Sequence, residues 1–489
     1  MFASSSYSAR QCVGLVVGGL LFTLVLLLPQ PVGMSAEAQR VAAVALLMAS
    51  FWMAETLPIP ATAMLPIFLF PLLRVLPTAE VTLAYGDQIN FLFMGGFLIA
   101  ITMQRWQLHR RLALNVIRIV GSSPQRLVLG FMLATALLSM WISNTATAMM
   151  MVPVALAVIE QTRHEQDIAP DIPVGGYDFG AALMLSIAYA ASIGGVGTLV
   201  GTPPNAIFIG LLDRLYGLQV SFFDWMKLGV PVSVVMLALC WFLLTRVLHP
   251  LGTVVESAAA REHIHAELAA MGPISVEEKR VAWVFALVAL AWILRGLLTP
   301  AWLDMVSDSA IAMLGAVVLF ALPANSGKDG RLLDWQTAAG IPWDIIILMG
   351  GGFALAEGFS SSGLTEWLAS QLAVLAGAPP FVLMLGVVLF VTFLTEMTSN
   401  SATATLFIPV MGAFAVSMDL HPLTLMVPTA VACSLAFMLP VATPPNAIVF
   451  GARQFDIRQM VRAGIWLNLW GALVVTVLCY WLLGAGVLL

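Results

Sequence analysis

Charge is what this sequence has least of. Of its 489 residues only 10% are Asp, Glu, Lys or Arg, against about 25% in an ordinary soluble domain, which excludes a water-solvated globular surface. Lysine occurs only at Lys227, Lys279 and Lys328. No continuous basic tract of the kind that holds phosphate or lipid headgroups is present, and the net charge of −5 gives no reason to expect a nucleic-acid partner. Cysteine is scarce too. Cys12, Cys240, Cys433 and Cys479 each sit inside an apolar run, at no ligand or disulfide spacing, and read as packing residues. The six histidines show no metal-ligand spacing: His109 stands among arginines and reads as interfacial, while His263 and His265 belong to a polar stretch. Walker, HExxH and GxSxG patterns are all missing, so neither ATP-driven transport nor membrane hydrolysis has its machinery. Hydroxyls without a partner base are ligands rather than nucleophiles, so no catalytic residue is assigned and the chain is not read as an enzyme.

What is present in excess is hydrophobic residues, at 60%. Apolar runs of about 17–25 residues, the length that spans a bilayer, recur at Cys12 to Leu28, Val41 to Leu57, Ala181 to Val200, Val230 to Leu248, Val281 to Leu297 and Ile465 to Leu483. With the shorter runs between them they predict an all-α integral membrane protein of about eleven crossings. The first run follows a single basic residue, Arg10, and has the length of a full span, so it reads as the first crossing rather than a cleaved signal peptide.

The sequence also matches itself. Met94 to Val154 aligns with Gly350 to Val410 at one constant offset of 256, pairing MGGFLIA with GGGFALA and SMWISNTATAMMMVPV with TEMTSNSATATLFIPV. A second pair follows, GTPPNAI at Gly201 and ATPPNAI at Ala442, with the shortening between the motifs falling near Glu160 to Asp167. Two related halves are expected. The first carries Arg105, Arg110, Arg111, Arg118 and Arg126 between Gln104 and Arg126, with no acid; the matching stretch, Ser360 to Val382, has Glu366 and no Lys or Arg. Basic loops stay in the cytoplasm, so the equivalent segments should face opposite sides, which makes the repeat inverted.

Each half then offers two helix starts. Leu127 to Ile159 is apolar except for a small polar cluster, and each arm is about 16 residues, roughly 24 Å, too short for a core of about 30 Å. A hairpin that enters and leaves by one face fits, with its tip at Ser143-Asn144-Thr145; a second runs from Phe381 to Val416 with its tip at Ser399-Asn400-Ser401. Ser and Asn favour N-caps, and the Ala-rich runs that follow favour helix. The TPPN motifs read likewise: Thr202 or Thr443 caps, and proline follows where its missing N–H costs nothing, so each breaks a span into half-helices. Four helix starts are expected in one buried region, offering free N–H groups to an anion, while the carbonyls ending the preceding half-helices suit a hard monovalent cation. No Lys or Arg lies within the four motifs. A multiply charged anion would need bound cations to complete its neutralisation.

A lone SNT in a membrane span is usually interhelical glue; duplication together with TPPN sets these apart. Gly95, Gly96, Gly350, Gly351 and Gly352 read as close-packing positions. Among ionisable residues, Glu55, Asp87, Asp344, Glu357 and Glu396 are functional candidates by depth, each with the alternative of capping or anchoring a helix.

The paired SN(T/S) and TPPN motifs, with MAETLPIPATAMLPIFLFPLL from Met53 and MQRWQLHRRLAL from Met103, resemble the divalent anion/sodium symporter (DASS) family of di- and tricarboxylate transporters over nearly the whole chain. The resemblance implies a multi-pass protein of the bacterial inner membrane, a homodimer whose scaffold domain stays still while a transport domain moves as an elevator. Scaffold would be residues 1–124 and 281–379. Transport domain would be 125–250, with hairpin 126–160 and a break near 201–205, and 380–489, with hairpin 381–416 and a break near 442–446. Residues 251–280 would be an aqueous linker. Motif by motif it implies Asn144, Thr145, Thr202, Asn400, Ser401, Thr443 and Pro444 as carboxylate ligands. Ser139, Ser143, Asn144 and Gly201 resemble one sodium site, and Thr395, Thr398, Asn400 and Ala442 the other. Ser401 departs from the Thr often found there, keeping the hydroxyl and losing a methyl. ETLPIPATAMLP with LHRRLAL is more similar to sodium-coupled dicarboxylate members, which implies import of C4 dicarboxylates such as succinate, malate and fumarate with Na+ and no organic cofactor. The alternatives are a dicarboxylate or citrate exchanger of the same fold, or a sulfate transporter.

Overall fold

The computed structural model describes residues 8–165, 174–251, 257–298, 305–325, 330–372 and 377–488. Among them every regular element is helical, apart from one isolated bridge between Pro323 and Arg331. Nine of the described helices are long and apolar enough to cross a membrane, and five more are apolar but shorter. Their outward faces are greasy: Leu20, Leu24 and Leu27 on Ala9–Leu27, and Trp466, Trp470 and Trp481 on Ile457–Gly484, are all exposed. In water such surface would drive aggregation; in a bilayer it is the solvated face.

The chain folds as two compact units. One comprises Met1–Asn90, Ala206–Gln219 and Pro342–Cys433. Its helices Ala9–Leu27 and Ala36–Ala54 pack through Gly14 and Gly18, where an added Cβ would overlap Thr56 or press on Phe51. Trp343–Ser362 follows the same rule: its triple glycine lies against Tyr85, Ala63 and Thr405. These glycines pack, as the sequence suggests. Asp87, Glu357 and Arg214 form one cluster, with Arg214 3.0 Å from Asp87 Oδ2 and 3.4 Å from Glu357 Oε2, its guanidinium over the Phe353 ring. The two acids thus serve as anchors. Glu55 ends Ala36–Ala54 in the left-handed region and pairs with Arg10 at 3.7 Å, again an anchoring role. Asp344 lies in the first turn of Trp343–Ser362, and Glu396 is buried at the end of Pro380–Thr395.

The other unit comprises Phe91–Asn205, Val220–Ile341 and Ser434–Leu489. At its centre lies Asp178–Gly195, a helix buried along nearly its whole length, with Tyr189 packed edge-on to Phe437 at 5.1 Å. Gly95 lies against Ala312 and Gly96 against Val200. Phe222 stacks on Trp292 at 4.2 Å, and Asp308 accepts from the Phe222 N–H at 2.8 Å and from Arg295 Nη1 at 2.9 Å. The polar stretch between the sequence halves is partly helical, Ala258–Ala270, and packs on Leu108–Val120, whose arginines hold it: Arg110 pairs with Glu267 and Arg111 Nε with Glu278 at 2.7 Å. His109, expected at the interface, is buried instead and faces the Met103 carbonyl at 3.2 Å. Burial holds its imidazole below the ordinary value.

Both members of the Arg111–Glu278 pair are shielded, with side chains 15% and 5% exposed. Arg111→Ala strands a buried carboxylate and should cost about 3 kcal/mol. Thermal unfolding followed through dye labelling of the buried Cys240 and Cys479 should show a clearly lowered midpoint; an unchanged midpoint would mean that Glu278 is held by Ser275 alone.

Candidate ligand site

Both hairpins form. Pro124–Ser139 is followed by Asn144–Glu165, and Pro380–Thr395 by Asn400–Ser417, so the second helix of each begins on the Asn of the tip. Asn144–Glu165 outruns the expected bound of 160. Its apolar part ends at Ile159, and the last turns are polar, with Glu160 meeting Arg163 and His164. Periodicity in apolar residues stops at the membrane surface, whereas backbone hydrogen bonding does not. The tips are capped differently: Ser143 Oγ accepts from the Ala146 N–H at 3.3 Å, whereas Ser399 makes no side-chain cap bond.

Three of the four motifs come together in the unit that contains the first tip. Asp178–Gly195 stops before the TPPN start, and Pro203–Tyr216 resumes after it. Seven residues between them, 196–202, are non-helical and buried. Asn144 reaches this break. With its amide nitrogen turned toward the carbonyls it donates to Gly201 O at 3.2 Å and Ala191 O at 3.1 Å; the opposite orientation would set oxygen against oxygen. Ser139 Oγ donates to Ala191 O at 2.7 Å and lies 2.5 Å from the Asn144 amide. This approach requires glycine twice: a Cβ at Gly195 would stand 2.8 Å from the Asn144 amide, and one at Gly201 would overlap the Gly195 carbonyl. Thr202 is 2% exposed, and its hydroxyl lies 3.5 Å from that of Ser434, in the unwound stretch that leads to the second TPPN. There Thr443 caps Pro444–Gly451, accepting from the Asn446 N–H at 3.3 Å. Thr443 and Ala442 are buried, Pro444 is exposed and Thr145 is half-buried.

The second tip lies in the other unit and repeats the same pattern. Thr395 Oγ1 donates toward Cys433 O (3.0 Å) and Asn400 Oδ1 (2.7 Å), as Ser139 is placed toward Ala191 and Asn144. Ser401 is buried. The Thr398 hydroxyl is engaged within the hairpin, 2.6 Å from the Thr403 hydroxyl and 3.0 Å from Leu394 O.

Two residues inside the quoted motifs have a role that the sequence reading left unassigned. Asn205 Nδ2 donates to Thr198 O at 2.7 Å, Gly195 O at 3.2 Å and Val196 O at 3.3 Å. Asn446 Nδ2 donates to Leu439 O at 3.0 Å and Ala436 O at 3.1 Å. Each TPPN asparagine thus ties its helix start to the carbonyls that end the preceding stretch, and each keeps its Oδ1 buried with no donor among the described residues. Their recurrence at the fourth position of both motifs was the available signal. The geometry offers hydroxyls, amides, backbone carbonyls and helix N–H groups, a donor set for a carboxylate and for hard monovalent cations.

Nine span-length apolar helices among the described residues, two of them entered at the Ser-Asn tips and one of them interrupted before a TPPN start, define a multi-pass integral membrane transport protein. The sodium:sulfate symporter transmembrane region matches residues 9–485, and the chain belongs to that family. It is 44% identical over 484 residues to the sodium-dependent dicarboxylate transporter SdcS of Staphylococcus saprophyticus, covering 98% of this chain and 92% of that protein. The SdcS protein of Staphylococcus aureus strain bovine RF122 is 42% identical over 482 residues, with the same coverage. Among solved structures, the YdaH transporter of Alcanivorax borkumensis superposes with a TM-score of 0.59 at 16% identity, covering 98% of this chain and 99% of that one. The MtrF efflux pump of Neisseria gonorrhoeae gives 0.58 at 13%, covering 98% and 96%. At such identity these two share the fold alone.

Proposed function

We propose that this protein is a sodium-coupled symporter that imports C4 dicarboxylates such as succinate, malate and fumarate. The observation that carries the reading is the recurrence of one hydrogen-bonded set, Ser139 with Asn144 and Ala191 O, Thr395 with Asn400 and Cys433 O. Asn144, Thr145, Thr202, Asn400, Ser401, Thr443 and Pro444 would be the carboxylate ligands. The relatives named as sodium-dependent dicarboxylate transporters support the substrate class and the coupling ion.

Sodium fits the charge balance. The four motifs hold no Lys or Arg, so a doubly charged anion meets only the partial charges of helix starts there, and bound cations would supply full ones. Ser139, Ser143, Asn144 and Gly201 would bind one ion, and Thr395, Thr398, Asn400 and Ala442 the other, largely through backbone oxygens. Movement would follow the elevator scheme, in a homodimer with residues 1–124 and 281–379 as scaffold and 125–250 and 380–489 as the moving part, in the cytoplasmic membrane of a bacterium.

Equilibrium binding of labelled succinate to the purified protein tests this reading. Replacing sodium by potassium should weaken binding tenfold or more, and excess sulfate should not displace succinate. Binding indifferent to sodium would favour an exchanger, and displacement by sulfate at equal concentration would favour the sulfate reading that the family's name allows.

A further inference from the structure

Of the five arginines in the basic stretch, three are committed: Arg105 to Asp334, Arg110 to Glu267 and Arg111 to Glu278. Arg118 is not. Its guanidinium is exposed at the end of Leu108–Val120, without an ion pair or hydrogen bond among the described residues, and it lines a cavity of about 270 Å³ with Arg261 and His265 of Ala258–Ala270. Arg261 likewise makes no side-chain bond to the described residues. A second cavity of about 360 Å³ adjoins it, lined by Ser122, Arg261 and His265 again and by Glu262.

The floor of this cleft is built for a ligand that accepts hydrogen bonds. Ser122 is 5% exposed and lines both cavities, and its hydroxyl has no hydrogen-bond partner among the described residues. Beside it begins Pro124–Ser139, whose N-cap, Ser123, makes no side-chain bond to the first turn. An unused hydroxyl and two guanidiniums without a partner among the described residues line one opening, a donor set that recognises phosphate. Arg118 and Arg261 lie far apart in the sequence, which is why no continuous basic tract announces them.

We propose that this cleft binds the phosphate of an anionic phospholipid headgroup. The lipid is favoured over a soluble phosphate by the helix that carries Arg118. Leu112 and Ile119, two turns apart on its outer side, are 43% and 78% exposed, an apolar edge on a basic helix of the kind that beds into the headgroup boundary. The inner leaflet is the anionic surface that basic segments on the cytoplasmic side meet. A phosphate held here ties Ala258–Ala270 to the corner from which the first hairpin starts. The same helix is already fixed to the far end of that hairpin, where Glu165 accepts from Ser257 Oγ at 2.5 Å and from the Ala258 N–H at 3.1 Å.

The test is thermal unfolding of the purified full-length protein in uncharged detergent, with added dioleoylphosphatidylglycerol, dioleoylphosphatidylcholine or inorganic phosphate. Phosphatidylglycerol should raise the midpoint, and the other two should not at equal concentration. The R118Q/R261Q double variant should lose at least half of that rise. E262Q, which removes the one acid that lines the cleft among the described residues, should enlarge it. An undiminished rise in the double variant, or no gain in E262Q, would overturn the site. An equal rise with inorganic phosphate would overturn the lipid as its occupant.

Discussion

Asn144→Ala and Asn400→Ala will each lower sodium-driven succinate uptake by about tenfold to a hundredfold, the effect of removing a half-buried amide worth about 1–3 kcal/mol to the groups that rely on it. Asn144 bridges the first tip to the break between half-helices, donating to Gly201 O at 3.2 Å. Asn400 accepts from Thr395 at 2.7 Å. Each stands at the first residue of its helix, where the free N–H groups of the first turn and the side chain lie together. The distinguishing readout is transport per folded molecule. Yield and gel-filtration profile should stay near those of the parent while uptake falls, because the first pair of helices is held by Gly194 packed on Ala136 and the helix from Asn400 by Thr405 packed on Gly352. Loss of folded protein in proportion to lost uptake would make the tips structural glue instead.

Asn205→Leu and Asn446→Leu should act in the opposite order, on stability first. Asn205 satisfies three carbonyls at the end of a half-helix, and Asn446 two, in surroundings closed to water. Removing the donor strands those oxygens at about 1–3 kcal/mol for the group as a whole, with overpacking by the branched side chain added. The unfolding midpoint should fall by several degrees for each, with Asn205→Leu the more severe. Because the freed carbonyls include Gly195 and Thr198, beside the Asn144 contact, the first variant should also shift the sodium concentration giving half-maximal uptake. A variant with parental midpoint and parental sodium dependence would mean that the break is held by packing alone.

How much of this was legible depends on how local the determinant is. The helix starts at Asn144 and Asn400 were readable because Ser-Asn followed by an Ala-rich run is a local signal, and its duplication at a constant offset removed ambiguity. The Thr443 cap, followed by prolines at the first helical positions, was readable for the same reason. The close-packing glycines followed from their clustering within apolar runs. What escaped was whatever depends on a partner remote in sequence. Asn205 and Asn446 were inside a quoted motif, yet their task is defined by carbonyls seven to ten residues upstream that exist as acceptors only because the helix stops there. Asp87, Arg214 and Glu357 form one cluster from three distant stretches. His109 looked interfacial beside its arginines, but the helix turns it inward to the Met103 carbonyl. The end of the first hairpin was placed too early because the polar turns that extend it to Glu165 carry no apolar periodicity.

The central claim, that the paired tips serve a sodium-coupled dicarboxylate importer, is tested most directly by uptake of labelled succinate into empty proteoliposomes under an inward sodium gradient, with potassium replacing sodium in the control. The account predicts strong accumulation with sodium and little with potassium. Uptake that ignores sodium but requires dicarboxylate inside the vesicle would contradict it, removing the two sodium sites and leaving an anion exchanger.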